Sequence, residues 1–134
     1  MLVDFGRVKE ALPAYQKAIN LMPQSGLIRT ALAHAQIETA GENTAQLNEA
    51  ITNLKRANQD EPRSTRVHRL LATAYGRQGN DPMARLHLGE EALLQGKYAY
   101  AKQQAEMALK GLPSDSPSAL RARDILAFVE KNKR

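Results

Sequence analysis

Apolar and small residues recur along this chain at helical spacing, and one arrangement occurs three times. Ala11-x3-Tyr15-x2-Ala18-x4-Pro23, Ala50-x3-Leu54-x2-Ala57-x4-Pro62 and Ala101-x3-Ala105-x2-Ala108-x4-Pro113 share the same order of positions. On a helix of 3.6 residues per turn the first three positions of each set lie on one face, and the proline ends the helix. Small residues on that face let a second helix approach closely. Between these segments the boundaries are chemically marked. Ser25 caps a helix running to about Thr39 that Gly41 stops, and a further helix spans about 44–58. Ser64 or Thr65 opens the next, ended by Gly79. Asn80-Asp81-Pro82 reads as a stop and restart, with Asp81 as cap and Pro82 at the first helical position. Helices at about 82–95 and 97–111 meet at Gly96, and Ser116 caps a last helix to about Lys131 whose Ala122, Ile125, Leu126 and Val129 form one apolar stripe. With residues 7–21 as the first helix, the pattern predicts seven helices. No long β-branched run argues for a strand.

A second motif alternates with the first. Leu71-Ala72-x2-Tyr75-x3-Gly79-x4-Ala84 and Leu88-Gly89-x2-Ala92-x3-Gly96-x4-Ala101 match the first half of a tetratricopeptide (TPR) repeat, and Leu32-Ala33-x2-Gln36 is a weaker copy. The alanine-to-proline segments match the second half. The expected fold is all-α, a TPR-like solenoid of antiparallel helix pairs stacked with a right-handed turn. One domain covers residues 1–134: 1–23 as the second half of a repeat with Gly6 at its opening turn, 24–62 as a repeat, 63–96 as another, and 97–134 as a C-terminal pair. Pro23 to Pro62 exceeds the 34-residue period by five, which places an insertion in the turn at Gly41–Thr44. The first-half motif recurs at both 64–79 and 82–95, and strict alternation assigns 82–95 to the second place in its pair. The unmatched first helix leaves an apolar face open at the N-terminal end. That implies a fragment of a longer protein or a covering domain, and makes self-association through the open repeat an expectation.

Composition narrows the chemistry. Alanine is abundant and aromatic residues make up only 4% of the 134 residues, which suits closely stacked helices rather than one large core. No stretch reaches the ~20 apolar residues of a membrane span, and the N-terminus lacks the order of a signal peptide. The chain has no cysteine, so disulfides and thiolate metal sites are excluded. The net charge of +5 is spread among acidic neighbours, and no stacking aromatics accompany the arginines, so nucleic acid is not the expected partner. His34, His68 and His87 fall in no metal-binding pattern, although His34 and Glu38 share a helix face. Ser114, Ser116 and Ser118 read as capping residues, and no glycine run could cradle a phosphate. No catalytic, metal or cofactor constellation is expected.

Two runs are similar to a particular family. Leu70-Leu71-Ala72-Thr73-Ala74-Tyr75-Gly76-Arg77-Gln78-Gly79 and Ser116-Pro117-Ser118-Ala119-Leu120-Arg121-Ala122-Arg123-Asp124-Ile125-Leu126, with Glu90-Glu91-Ala92-Leu93 and Gly96 between them, resemble the C-terminal TPR region of bacterial HExxH zinc metalloproteases of the BepA type. The resemblance implies a periplasmic protein whose separate N-terminal domain hydrolyses peptides while the repeats receive outer-membrane or envelope clients. This sequence contains no HExxH, so the family's catalytic residues have no positions here. Only the recognition role transfers.

The expected function is therefore a non-catalytic protein-interaction module that binds protein or peptide segments, among them envelope clients and the parent protease domain. The alternative is a free-standing TPR scaffold or co-chaperone that grips acidic peptide segments. First helices of repeats line the groove in such folds, which nominates His34, Ile37 and Glu38 from one repeat and Arg66, Arg69, Thr73 and Arg77 from the next.

Overall fold

A computed structural model describes residues 5–133, with side chains from Val8 onward. Among the described residues the protein is all-helical: α1 (Phe5–Leu21), α2 (Gly26–Ala40), α3 (Thr44–Asp60), α4 (Thr65–Arg77), α5 (Asp81–Leu94), α6 (Tyr98–Gly111) and α7 (Pro117–Lys131). Consecutive helices pack on one another as helical-repeat pairs within two compact units, Met1–Pro62 and Arg63–Arg134. None of these helices is long and apolar enough to cross a membrane.

In the first unit, α2 packs against both α1 and α3. The antiparallel course of α2 and α3 is visible in their side-chain bonds. Arg29 near the start of α2 donates to Asn53 late in α3 at 3.1 Å, whereas Gln46 early in α3 donates to the Gln36 carbonyl at 2.8 Å. Gln36 is buried and uses both ends of its amide, donating to Glu49 at 3.2 Å and accepting from Asn53 at 3.0 Å. A buried amide satisfied in this way helps fix the register of the two helices. Ala50, Leu54 and Ala57 are fully buried, as the recurring pattern requires, while Ala11, Tyr15 and Ala18 of α1 are half-buried. Helix α1 begins at Phe5 and takes in Gly6, so the helix starts before the expected turn. Pro13 lies inside α1, where its missing N–H removes one helical hydrogen bond.

The expected insertion at Gly41–Thr44 is not in the turn. Only Gly41 to Asn43 separates α2 from α3, as short a link as Gln95 to Lys97 between α5 and α6. The extra residues lengthen helices: α3 has 17 residues and α6 has 14. Adding to a helix extends the apolar contact without exposing further backbone, whereas a longer turn would gain nothing to bury.

In the second unit α5 is central, touching α4, α6 and α7. It pairs with α4, as a second-place helix does, and it also opens a pair with α6. Gly89 lies in that second contact: a methyl built there would be in ordinary contact with the Ala101 carbonyl at 3.5 Å, the Ala105 amide at 3.6 Å and Ile125 Cδ1 at 3.6 Å. Around that contact Leu86, Ala92, Ala101, Ala105, Ala108, Ala122, Ile125 and Val129 form one buried cluster, joined by half-buried Leu126 and Tyr98. The turns on either side of α5 share one device. Asn80 donates to the Tyr75 carbonyl at 2.9 Å around Gly79 (φ 76°), and Lys97 donates to the Ala92 carbonyl at 2.9 Å around Gly96 (φ 75°). Both are Schellman closures, which need a left-handed residue and so favour glycine.

The cap of α5 differs from the expected one. Asn80, not Asp81, is the N-cap, accepting from the Met83 amide at 3.3 Å, and Asp81 is the first helical residue with Pro82 after it. The turn leaving Gly79 places Asn80 half outside the helix, where a side-chain oxygen reaches the amide three residues on. Asp81 instead pairs with Arg85 one turn along, at 3.4 Å.

Candidate functional site

The nominated residues divide between the two units. In the first, His34 and Glu38 stand one turn apart on α2 with His34 Nε2 3.4 Å from Glu38 Oε1, both partly exposed. They line a cleft of about 300 Å³ between α1 and α2 with Val8, Ala11, Tyr15, Ala31 and Ala35. The cleft has an apolar floor and one polar pair on its wall. Ile37 does not join them. It is 1% exposed, because position 37 faces the packed side of α2 along with Ala33 and Ala40.

In the second unit Arg66, Arg69, Thr73 and Arg77 form one exposed stripe on α4. The stripe is partly committed to the fold. Arg69 Nε donates to Glu91 Oε2 of α5 at 2.6 Å, and the Thr73 hydroxyl donates to the Arg69 carbonyl at 3.0 Å. Since Arg69 remains 61% exposed in its side chain, this ion pair is of the weak, solvent-screened kind.

A concave surface that was not among the nominations lies at the junction of α6 and α7. Gly96, Tyr98, Ala99, Lys102, Val129, Glu130, Asn132 and Lys133 line a cleft of about 560 Å³. Tyr98 meets Phe128 edge to face at 5.9 Å, and Phe128 and Tyr100 are each 44% exposed. Lys102 and Lys133 line this cleft with Tyr98, against Glu130, and Lys97 and Tyr100 line an adjoining hollow that shares Tyr98 and Ala99. Aromatic rings beside lysines offer an apolar seat with a positive edge. Tyr98 and Phe128 fall in no repeat motif, so only the meeting of two helix ends brings them together.

Between α4, α5 and α7 lies a buried polar cluster that motif reading also passed over. His68 of α4 and His87 of α5 are buried with their Nδ1 atoms 3.1 Å apart. Glu90, also buried, has Oε2 4.0 Å from His68 Nε2 and accepts a two-pronged hydrogen bond from Arg121 of α7, one prong 2.9 Å long. That hydrogen bond to Glu90 raises the Arg121 guanidinium above its usual value against partial burial, with the charges of Glu90 and Asp124 adding to it. The sequence did carry a signal. Positions 68, 71, 72 and 75 continue one buried face of α4, so a histidine at 68 had to be inside. Among the described residues no group of three histidine or acidic side chains could hold a metal ion.

No family model, curated protein or solved structure matches this chain.

Proposed function

We propose that this chain is a protein-interaction module that binds extended segments bearing apolar and acidic side chains, without catalysis of its own. The observation that carries the reading is the α6–α7 cleft, where Tyr98, met edge-on by Phe128, shares the lining with Lys102 and Lys133 and also borders an adjoining hollow with Lys97, on a helical-repeat framework. Apolar side chains would seat on the rings and carboxylates would pair with the lysines at the edge. The His34–Glu38 cleft and the exposed arginine stripe of α4 supply further polar contacts of the same class. In its fuller form the proposal is that the chain is the client-receiving region of a periplasmic HExxH metalloprotease, supported by the runs Leu70–Gly79 and Ser116–Leu126. The free-standing scaffold binding acidic peptides predicts the same surface chemistry. The upstream reading frame separates the two.

The direct test is binding of labelled peptides from unfolded envelope proteins, sorted by acidic and aromatic content. Tyr98→Ser with Lys102→Glu is expected to weaken the acidic–aromatic set at least ten-fold while the helical signal is kept. Binding should also fall as salt rises, because surface charge pairs are screened. Equal binding of acidic and basic peptides, or binding untouched by the double substitution, refutes this assignment. Arg69→Glu with Arg77→Glu measures the separate share of the α4 stripe.

A further inference from the structure

The contact between α4 and α5 is made in part by two histidines whose Nδ1 atoms are 3.1 Å apart. His68 is 3% and His87 9% exposed, their ring centroids are 5.3 Å apart, and Tyr75 of α4 stacks on His87 at 5.7 Å. A hydrogen bond between two Nδ1 atoms holds one proton: one ring donates and the other must keep its lone pair. The neutral pair meets this by choice of tautomer, and so does a pair with one added proton. A pair with two added protons cannot. Two N–H groups would then point at each other, and two cations would share a site shut off from water.

The charged groups nearest the pair are engaged with one another. From α5, Glu90 lies 4.0 Å from His68 Nε2, but its carboxylate is already shared with Arg121 of α7, beside Asp124. Glu91 of α5 is taken by Arg69 of α4, and α6 reaches α5 with the uncharged Gln104, which accepts from Arg85 at 3.2 Å. The geometry points to a proton-operated latch, in which the closed α4–α5 packing admits one extra proton on the His68–His87 pair and uptake of a second releases α4 from α5. Released histidines each take a proton near pH 6.5. Below that pH the open form therefore binds more protons than the closed one, and the contact weakens as pH falls; above it the contact has its full strength. The arginine stripe rides on α4, so the latch would also govern how Arg66, Arg69 and Arg77 are presented. A binding surface of this kind would change with acidity without any change in its own side chains.

The test follows the histidine ring signals and amide exchange of the intact chain from pH 8 to 5.5, above the range where carboxylates protonate. One ring of the pair should remain neutral for as long as α4 stays protected. The opening equilibrium of α4, corrected for intrinsic exchange, should rise as pH falls below about 6.5, by up to about ten-fold per pH unit where the closed pair holds its one added proton and up to about a hundred-fold where it holds none. The variant His68→Leu with His87→Phe keeps an aromatic ring against Tyr75 and removes both titrating groups, so its opening should be flat over that range. Both rings taking up protons while α4 stays protected would overturn the latch, and this reading needs no variant to fold. An acid response in the double variant equal to that of the parent would overturn it as well.

Discussion

At the scale of single residues, two glycines of the second unit look alike in sequence and differ in what surrounds them. At Gly89 a new methyl group would sit in ordinary contact with α6 and Ile125, all at 3.5 Å or more. Gly89→Ala should therefore be tolerated and should gain about 0.5–1 kcal/mol from the stiffer backbone. Near the end of α6 the case is reversed, since a methyl at Gly111 would overlap Cγ of the Pro82 ring. The proline ring cannot swing away. Gly111→Ala should cost about 1–3 kcal/mol, and thermal unfolding of the two variants side by side checks the contrast. Leu71 is wholly buried, so Leu71→Ala should cost about 2–5 kcal/mol; an unchanged denaturation midpoint would contradict that burial.

At the scale of helices, most boundaries follow one device. Ser25, Asn43, Ser64, Asn80 and Ser116 each accept a hydrogen bond from the amide three residues on. Ser25, Ser64 and Ser116 were legible because serine before an apolar stretch has few other roles, whereas Asn43 in the short Gly41–Thr44 turn was not. The start of α5 was legible only in part, because Asn80 and Asp81 are both good caps and the choice depends on where Gly79 aims the chain. The two assignments predict different losses. Asn80→Ala should cost about 1 kcal/mol and Asp81→Ala less, since the latter gives up only a first-turn charge and an exposed pair with Arg85. Urea titration of both variants decides between them, and an equal or larger loss at Asp81 would restore the aspartate as the cap.

At the scale of the whole molecule, the compact units Met1–Pro62 and Arg63–Arg134 are each held by their own helices. The buried cluster around Leu86, Ala101 and Ile125, the histidine pair and the Tyr98–Phe128 cleft all belong to the second unit. A fragment of residues 63–134 is therefore expected to remain helical, to unfold cooperatively and to keep whatever peptide binding the α6–α7 cleft provides. Circular dichroism and the peptide assay of the intact chain check this, and a fragment that is unfolded would show that the second unit depends on the first. In the first unit Leu21, Met22 and Leu27 are strongly exposed around the α1–α2 turn. They are the residues to substitute if the expected self-association is seen by sedimentation, and loss of the dimer on Leu27→Lys would locate it.

The sequence by itself determined the all-α class and the seven helices of the described residues, with most of their ends, because helical periodicity, capping and turn chemistry are local properties of a few neighbouring residues. It also marked the buried faces of α3, α6 and α7, since those depend on periodicity alone. What only the tertiary structure decided is which helices meet and at which residues. The extra length between Pro23 and Pro62 lies in helices and not in a turn, α5 has three neighbours, and Ile37 turns inward. The same holds for chemistry. His34 and Glu38 were legible as a pair because they are four residues apart on one helix, whereas His68 and His87 are 19 apart and Glu90 and Arg121 are 31 apart. Their proximity is created by the packing of α4, α5 and α7, and no local spacing rule encodes it.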